Sequence, residues 1–446
     1  MSLPIRTRPP PTSTTTPHFY ALIHYDDPYV QPLLLSALSS LFPPTSYTLL
    51  PPPSPSAKAD DDDPPSLATI LPSPSSKILQ IATYEAIDFS FASAHPDTCL
   101  VNSYVIRKAL IRKHFLSATV DAWAAKRPGS ALPAHVKRAE AFEVDYAEFL
   151  DDALVEAWDL QASMARNAEE GAEKEWWILK PSMSDRGQGI RLFCDMEGLQ
   201  GVFDGWEEEV GSDEEEKDEG GDGIMVSHLR HFVAQPYIHP PLLLEGDRRK
   251  FHVRVYVLAV GSLKVYVYRD MLALFAAKDY IAPGTGEDGE AEDLDAHLTN
   301  TCLQQQPGER DAVRRFWALE GLAPGVAESV FAQICEVTGE LFEAAARTMM
   351  VHFQPREGAF DVYGLDFLVD AAGTAWLLEV NAFPDFKQTG EGLTGVVSGL
   401  WEGVLRTAVV PWAMGGAGGE EGGAAAAGGE GKGDMVLVRE VDLGRR

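Results

Sequence analysis

The stretch GLDFLVDAAGTAWLLEVNAFPDF, which begins at Gly364, reads as two apolar strands joined by a turn, yet it carries Asp366, Glu379 and Asn381. Alternate side chains of a strand share a face, so Glu379 and Asn381 point the same way. With a turn over Ala371–Thr374, Asp366 falls opposite Glu379 on the neighbouring strand, bringing two carboxylates and an amide together. Like charges directly opposed destabilise a sheet. A divalent cation between them would remove the repulsion, and an oxygen-only ligand set suits hard Mg²⁺. A solvated hairpin face explains the same residues without a metal.

Two further segments carry candidate chemistry. WILKPSMSDRGQGIRLF sets Lys180 at the end of an apolar strand, ahead of a loop with Gly187 and Gly189. Glycines let backbone N–H groups approach an anion closely, and a lysine adds a point charge for phosphate. The spacing matches neither the P-loop nor the dinucleotide fingerprint, so a flexible strand connection stays open beside a phosphate cradle. In FHVRVYVLAV, Phe251, Val253, Val255 and Val257 form one face and His252, Arg254 and Tyr256 the other. A guanidinium held in mid-strand needs an anionic partner, either a structural acid or a bound phosphate or carboxylate. Arg248, Arg249 and Lys250 form a basic cluster just upstream, and Arg269 ends the next strand. Such focusing of positive charge favours an anionic ligand. His297, in HLTN, is a candidate base or a loop cap, Cys302 has no evident activating partner, and no Ser-His-Asp ordering supports a hydrolase.

The elements that must position these groups fall into several parts. Residues 1–16 read as a disordered arm. Residues 17–100 read as a small N-terminal α/β domain, with strands at Phe19 and Lys77, a helix over Gln31–Leu41 and a proline-acid segment that loops out. Residues 101–175 form a helical part, with helices from about Asn102 to Ala125 and from about Arg138 to Arg166. From 176 to 410 the texture is mainly β, including a hairpin turned at Gly261-Ser262, an acidic loop over 207–223, and a helix from about Val326 to Met350. Residues 411–446 read as a flexible Gly/Ala/Glu-rich tail.

The chain's 446 residues, 45% of them hydrophobic, suffice for two or three domains with substantial cores. A formal charge of −30 argues against a general nucleic-acid or anionic-membrane surface. The run Glu207–Asp222, with ten acids and one lysine, contributes −9 of this and leaves −21 elsewhere. Cys99, Cys194, Cys302 and Cys335 show no metal-ligand spacing and fit a reduced cytoplasm. No apolar run approaches a membrane span, and the N-terminus lacks a signal-peptide core.

WILKPSMSDRGQGI, FVAQPYIHPPLLLEGDRRKFHVRVYVL, VYVYRD, HLTN and GLDFLVDAAGTAWLLEVNAFP occur in the order seen in the tubulin–tyrosine ligase family of ATP-grasp enzymes, which this chain resembles over roughly Trp176–Pro384. A weaker echo lies in VNSYVIRKALIRK from Val101. The resemblance implies an α/β (α+β) ATP-grasp fold with a small N-terminal α/β domain. It implies a ligase that phosphorylates a carboxylate with ATP and couples the acyl phosphate to the amine of an amino acid, tyrosine or glutamate. The implied acceptor is tubulin or another acidic-tailed protein. Asp366, Glu379 and Asn381 then resemble the Mg²⁺ ligands. Lys180 resembles the lysine on the ATP α/β-phosphates and Lys108 one that reaches the phosphates from the N-terminal side. Gln235, Tyr237 and Ile238 border the adenine, with Gly187, Gly189, Lys250 and Asn300 in the same nucleotide and substrate set. Arg254 and Arg269 match arginines facing the substrate carboxylate and the transferred phosphoryl group.

The chain also departs from the family pattern. His252 stands where the family usually has Asp, Pro236 replaces a common Lys, and YRDMLALF lacks a later arginine. These changes fall on the substrate side and spare the ATP and metal residues, so a nucleotide-binding interaction module that has lost ligation is the alternative to an active ligase.

Overall fold

The computed structural model describes residues 18–25, 27–51, 66–182, 187–212, 230–285, 293–299, 311–386, 391–415 and 434–444. The expected arm at 1–16, Asn300 and Cys302 lie outside these residues, as does the acidic loop from residue 213 onward. The chain forms two compact units, Met1–Val101 with Val404–Gly431, and Asn102–Gly403 with Lys432–Arg446.

The first unit is built on four parallel strands, β1 (Phe19–His24), β2 (Tyr47–Leu49), β3 (Ile78–Ala82) and β4 (Cys99–Val101), in the order β2-β1-β3-β4. All five residues of β3 are buried, the continuous apolar texture of a parallel strand covered on both faces. The helix Val30–Leu41 buries Val30, Leu34, Ala37 and Leu38, spaced along one stripe. Helical turns over Leu405–Ala413 belong to this unit, where the Trp412 ring lies edge-on to Phe19 and its carbonyl accepts from Lys77 Nζ (3.0 Å). The sequence boundaries at 410 and 411 therefore cut through a packed segment.

The second unit has two antiparallel sheets. The smaller runs β5-β8-β6-β7, from β5 (Glu140–Glu143), β6 (Trp177–Pro181), β7 (Arg191–Phe193) and β8 (His231–Pro236). Its core gathers Phe142, Trp177, Leu179, Phe203, Trp206 and Phe232. Here the structure corrects the helix expected from Arg138 to Arg166: only Trp158–Asn167 is a long helix, and β5 occupies the start. In β5 Phe142 alone is buried while its backbone pairs with β8, and that pairing overrides the helical preference of Glu and Ala. The helix Met196–Ser212 likewise extends into the expected acidic loop 207–223, and Glu207 Oε1 accepts the Ala147 N–H (2.6 Å).

The larger sheet contains β9 (Arg249–Val260), β10 (Lys264–Tyr268), β11 (Leu272–Asp279), β12 (Val313–Arg315), β13 (Phe360–Val369), β14 (Ala375–Ala382) and β15 (Met435–Glu440). β13 lies between β9 and β14, and all ten of its residues are buried. The expected flexible tail 411–446 is corrected at β15, which pairs antiparallel with β10. The helix Val326–Thr348 buries Ile334, Val337, Leu341, Phe342 and Ala345, a stripe of helical period. Its Gly339 meets β15 so closely that an added Cβ would stand 3.1 Å from the Val438 carbonyl oxygen.

Candidate active site

Strand pairing in the larger sheet brings the acidic residues together. In the β13–β14 hairpin Asp366 is paired with Glu379, and Gly364 with Asn381; the ladder opens from Val369–Ala375, so the loop spans residues 370–374 and not the expected 371–374, and a one-residue register shift between Asp366 and Phe367 brings Glu379 opposite Asp366. Gly373 sits at φ 86°, and Asp370 closes the loop through hydrogen bonds with Thr374 and Gly373. Asn381 Nδ2 donates to Asp366 Oδ2 (3.3 Å) and to Glu379 Oε1 (3.1 Å), so the carboxamide bridges both acids.

On the other side of β13, Arg254 is the register partner of Asp366. Its Nε donates to Asp366 Oδ1 and its Nη2 to Oδ2 (3.0 Å). The mid-strand guanidinium therefore has a structural acid as its partner. Burial works against its charge, but Asp366 more than offsets this and holds the proton on firmly. His252 Nε2 lies 3.5 Å from Asp366 Oδ1 without a hydrogen bond, while Nδ1 meets Thr299 Oγ1 at 2.6 Å. Burial, opposed by Asp366 and assisted by Arg254, pushes the imidazole pKa down, so His252 is neutral at pH 7.

These groups form the polar end of a partly open cleft enclosing about 880 Å³, adjoining solvent included, within this unit. Its apolar wall includes Ile178, Leu368 and Leu377, and Gln235, Pro236, Tyr237 and Ile238 line it where β8 ends. Lys180, at the end of β6, is buried and donates to Gln235 Oε1 (3.0 Å). Burial lowers its pKa to about 8, against the pull of Glu379 and with a push from Lys113. Lys250 donates to the Tyr237 hydroxyl (2.8 Å), which meets His297 Nδ1 at 2.9 Å. Burial and then the Lys180 charge lower Lys250 to about 7, and burial followed by Lys250 lowers His297 to about 4. The basic cluster at 248–250 is thus divided by strand alternation: Lys250 faces the cleft, while Arg249 forms a buried ion pair with Asp247 (2.9 Å). Gly187, at φ 80°, lines the cleft, and Gly189 follows at φ 71°.

Two residues of the sequence set stand elsewhere. Lys108 is exposed at the start of the short helix Lys108–Ile111 and does not line the cleft. Arg269 is also exposed, its guanidinium 4.6 Å from the Trp317 ring centre and 5.1 Å from that of Phe331. Sequence reading overlooked Lys113, whose Nζ is 3.5 Å from Glu379 Oε2, and Lys137, whose Nζ lies 3.7 Å over the Trp376 ring. Both line the cleft. The signal for Lys113 lies in RKALIRK, where Arg112-Lys113 repeats Arg107-Lys108 and offers a second lysine from the same segment. Burial pushes the Glu379 carboxyl up, but Lys113, the Asn381 hydrogen bond, Lys180 and Arg254 together hold it below the usual carboxylate range.

The donor chemistry fits a hard divalent cation. Two carboxylates stand within reach of one carboxamide, and half a turn of that carboxamide presents its oxygen beside theirs. Among the described residues no group of three or more His, Cys, Asp or Glu is arranged to hold a metal ion, so a cation here would rely on the amide and on oxygens from a ligand.

The tubulin-tyrosine ligase family model matches residues 95–415. This chain belongs to the tubulin–tyrosine ligase family. A probable tubulin–tyrosine ligase of Schizosaccharomyces pombe is 42% identical over 411 residues, which cover 90% of this chain and 94% of that protein. The probable tubulin–tyrosine ligase PBY1 of Saccharomyces cerevisiae is 42% identical over 350 residues, covering 75% of this chain and 46% of PBY1. Among solved structures, the C-terminal domain of Pby1 from K. lactis, described as an ATP-grasp enzyme that interacts with the mRNA decapping enzyme Dcp2, superposes with a TM-score of 0.62 at 34% identity. That match covers 89% of this chain and 94% of the solved one, and gives this family member the ATP-grasp fold. No helix among the described residues is long and apolar enough to cross a membrane.

Proposed function

We propose that this chain is an ATP- and Mg²⁺-dependent ligase that joins an amino acid, tyrosine or glutamate, to a protein carboxylate, with the C-terminal tail of tubulin as the leading acceptor. The observation that carries this reading is the juxtaposition of Asp366, Glu379 and Asn381 at the polar end of a cleft that also holds Lys180. Gln235, Tyr237 and Ile238 border the nucleotide base, and Lys180 and Lys113 bring positive charge toward its phosphates. Mg²⁺ held by Asp366, Glu379 and Asn381 would offset charge on the phosphates and help align the reactants. The γ-phosphoryl group passes to the acceptor carboxylate, the amine attacks the resulting acyl phosphate, and an amide, ADP and phosphate result. Arg254 holds Asp366 in orientation from the next strand through two hydrogen bonds. The names of the fungal relatives support tubulin as acceptor, and more distant relatives named as probable tubulin polyglutamylases, such as one of Caenorhabditis elegans at 29% identity, support glutamate beside tyrosine.

A second reading is a nucleotide-binding interaction module with weak or no ligation. It is favoured by the exposed positions of Lys108 and Arg269, and by the K. lactis relative's interaction with a decapping enzyme. Incubation with Mg-ATP, labelled tyrosine or glutamate and tubulin, beside Glu379→Gln, separates the two. Label entering tubulin only with the unaltered protein supports the ligase. Nucleotide binding without amide formation across a broad acceptor panel supports the module.

A further inference from the structure

Residues 146–158 wind in short turns over the core of the smaller sheet, in which Ala147, Leu150, Leu154 and Ala157 are buried. The helix Met196–Ser212 pins the segment: Glu207 Oε1 accepts the Ala147 N–H (2.6 Å), and Gln200 Nε2 donates to the Ala147 carbonyl (3.2 Å). No residue of the segment lines the cleft. Its outer side nevertheless carries large apolar groups: Trp158 leaves 69% of its surface exposed, Tyr146 56%, Val155 55% and Phe149 48%. A single exposed apolar residue is ordinary, but four in one short anchored segment, two of them with rings edge-on at 6.2 Å (Tyr146 and Phe149), mark a face suited to a partner. Glu148, Asp151, Asp152 and Glu156 alternate with these groups, all exposed and without a cationic partner among the described residues. From Glu140 to Asp159 there are eight acids and no Lys, Arg or His, a charge of −8. Such a face repels nucleic acid, anionic lipid and a second copy of this chain, whose formal charge is −30. It suits guanidinium groups, which stack on aromatic faces and grip carboxylates through two parallel hydrogen bonds.

We propose that residues 146–158 form a docking face for an arginine-bearing basic segment of a partner protein, its guanidinium groups stacked on Tyr146, Phe149 and Trp158 and paired with the acids between them. This holds whether or not the cleft ligates. The full chain is titrated, by fluorescence anisotropy, with a short labelled peptide that alternates arginine with leucine, and with counterparts carrying lysine or glutamate in place of arginine. The arginine peptide should bind, the lysine peptide about 10-fold more weakly, and the glutamate peptide not at all. Phe149→Ser combined with Trp158→Ser leaves the net charge untouched and should weaken the arginine peptide about 10- to 100-fold. Glu148→Gln combined with Asp152→Asn should weaken it about 10-fold and make its binding less sensitive to salt. Affinity for Mg-AMP-PNP should stay that of the unaltered protein in both double variants, which also reports that they fold. Equal peptide affinity in the Phe149→Ser, Trp158→Ser protein and the unaltered one would overturn the assignment, because the attraction would then be a general response to an acidic chain. Equal affinity for the arginine and lysine peptides would overturn it too. So would self-association in sedimentation that the Phe149→Ser, Trp158→Ser protein loses, which would make this face a contact between copies.

Discussion

Arg254 on β9 grips both carboxylate oxygens of Asp366 on β13, its direct register partner 112 residues away. Asp366 is almost fully buried, so removing the guanidinium leaves a carboxylate with little water to replace it. Arg254→Ala should destabilise the second unit by about 3–5 kcal/mol, and Arg254→Lys by less, because an ammonium cannot match both oxygens. Urea unfolding measures this. An Arg254→Ala midpoint equal to that of the unaltered protein would show the pair to be energetically idle.

Lys113 is the nearest cation to Glu379 and the strongest of the influences that keep its carboxyl ionised against burial. Lys113→Ala should let the Glu379 pKa rise and weaken magnesium-dependent nucleotide binding about 10-fold, the scale of one charge-assisted contact. Lys108→Ala, on the exposed face, should have the smaller effect. Calorimetry at pH 7 compares them, and the opposite ranking would return Lys108 to the site.

Burial, with Lys180 nearby, lowers the Lys250 pKa to about 7, whereas in the unfolded chain it titrates near its ordinary value of about 10.4. Between these values the unfolded state binds the additional proton, so this group's contribution to stability rises with pH from about 7 to about 10. Below pH 7 both states are protonated and the penalty of burying the charge is fully present. Lys250→Met should flatten that part of the stability curve, as measured by urea unfolding at stepped pH. An unchanged slope would contradict it.

Gly364 faces Asn381 on one side and Tyr256 on the other, and a Cβ there would come within 3.0 Å of Pro384 Cβ and 3.3 Å of Arg254 Cδ. Gly364→Ala should displace Arg254 from Asp366 and destabilise the protein by about 1–3 kcal/mol, the range for overpacking a tight core. Thermal unfolding of this variant alone and combined with Arg254→Ala tests the coupling. Strictly additive losses would mean that the methyl group acts elsewhere.

The Asp366–Glu379 pairing was legible in the sequence because it is local, a short hairpin whose side chains alternate between faces, but the loop is one residue longer than the expected turn over 371–374, and a register shift between Asp366 and Phe367 restores the pairing. Lys180 at a strand end, the glycines after it and the long helix stripe were legible for the same reason. The residues read from single segments without their neighbours fared differently. Glu140–Glu143 looked helical by composition, yet the backbone of β8 offered it a ladder of hydrogen bonds.

By itself, then, the sequence determined which side chains share a face, that a short loop joins β13 to β14, and which family the ordered motifs resemble. Only tertiary structure decided that Asp366 answers Arg254, that Lys113 rather than Lys108 reaches Glu379, that Arg269 rests on Trp317, and that β15 returns to pair with β10. Those contacts join segments distant along the chain. Periodicity constrains a strand's own faces, whereas the choice of neighbouring strand depends on packing the whole unit.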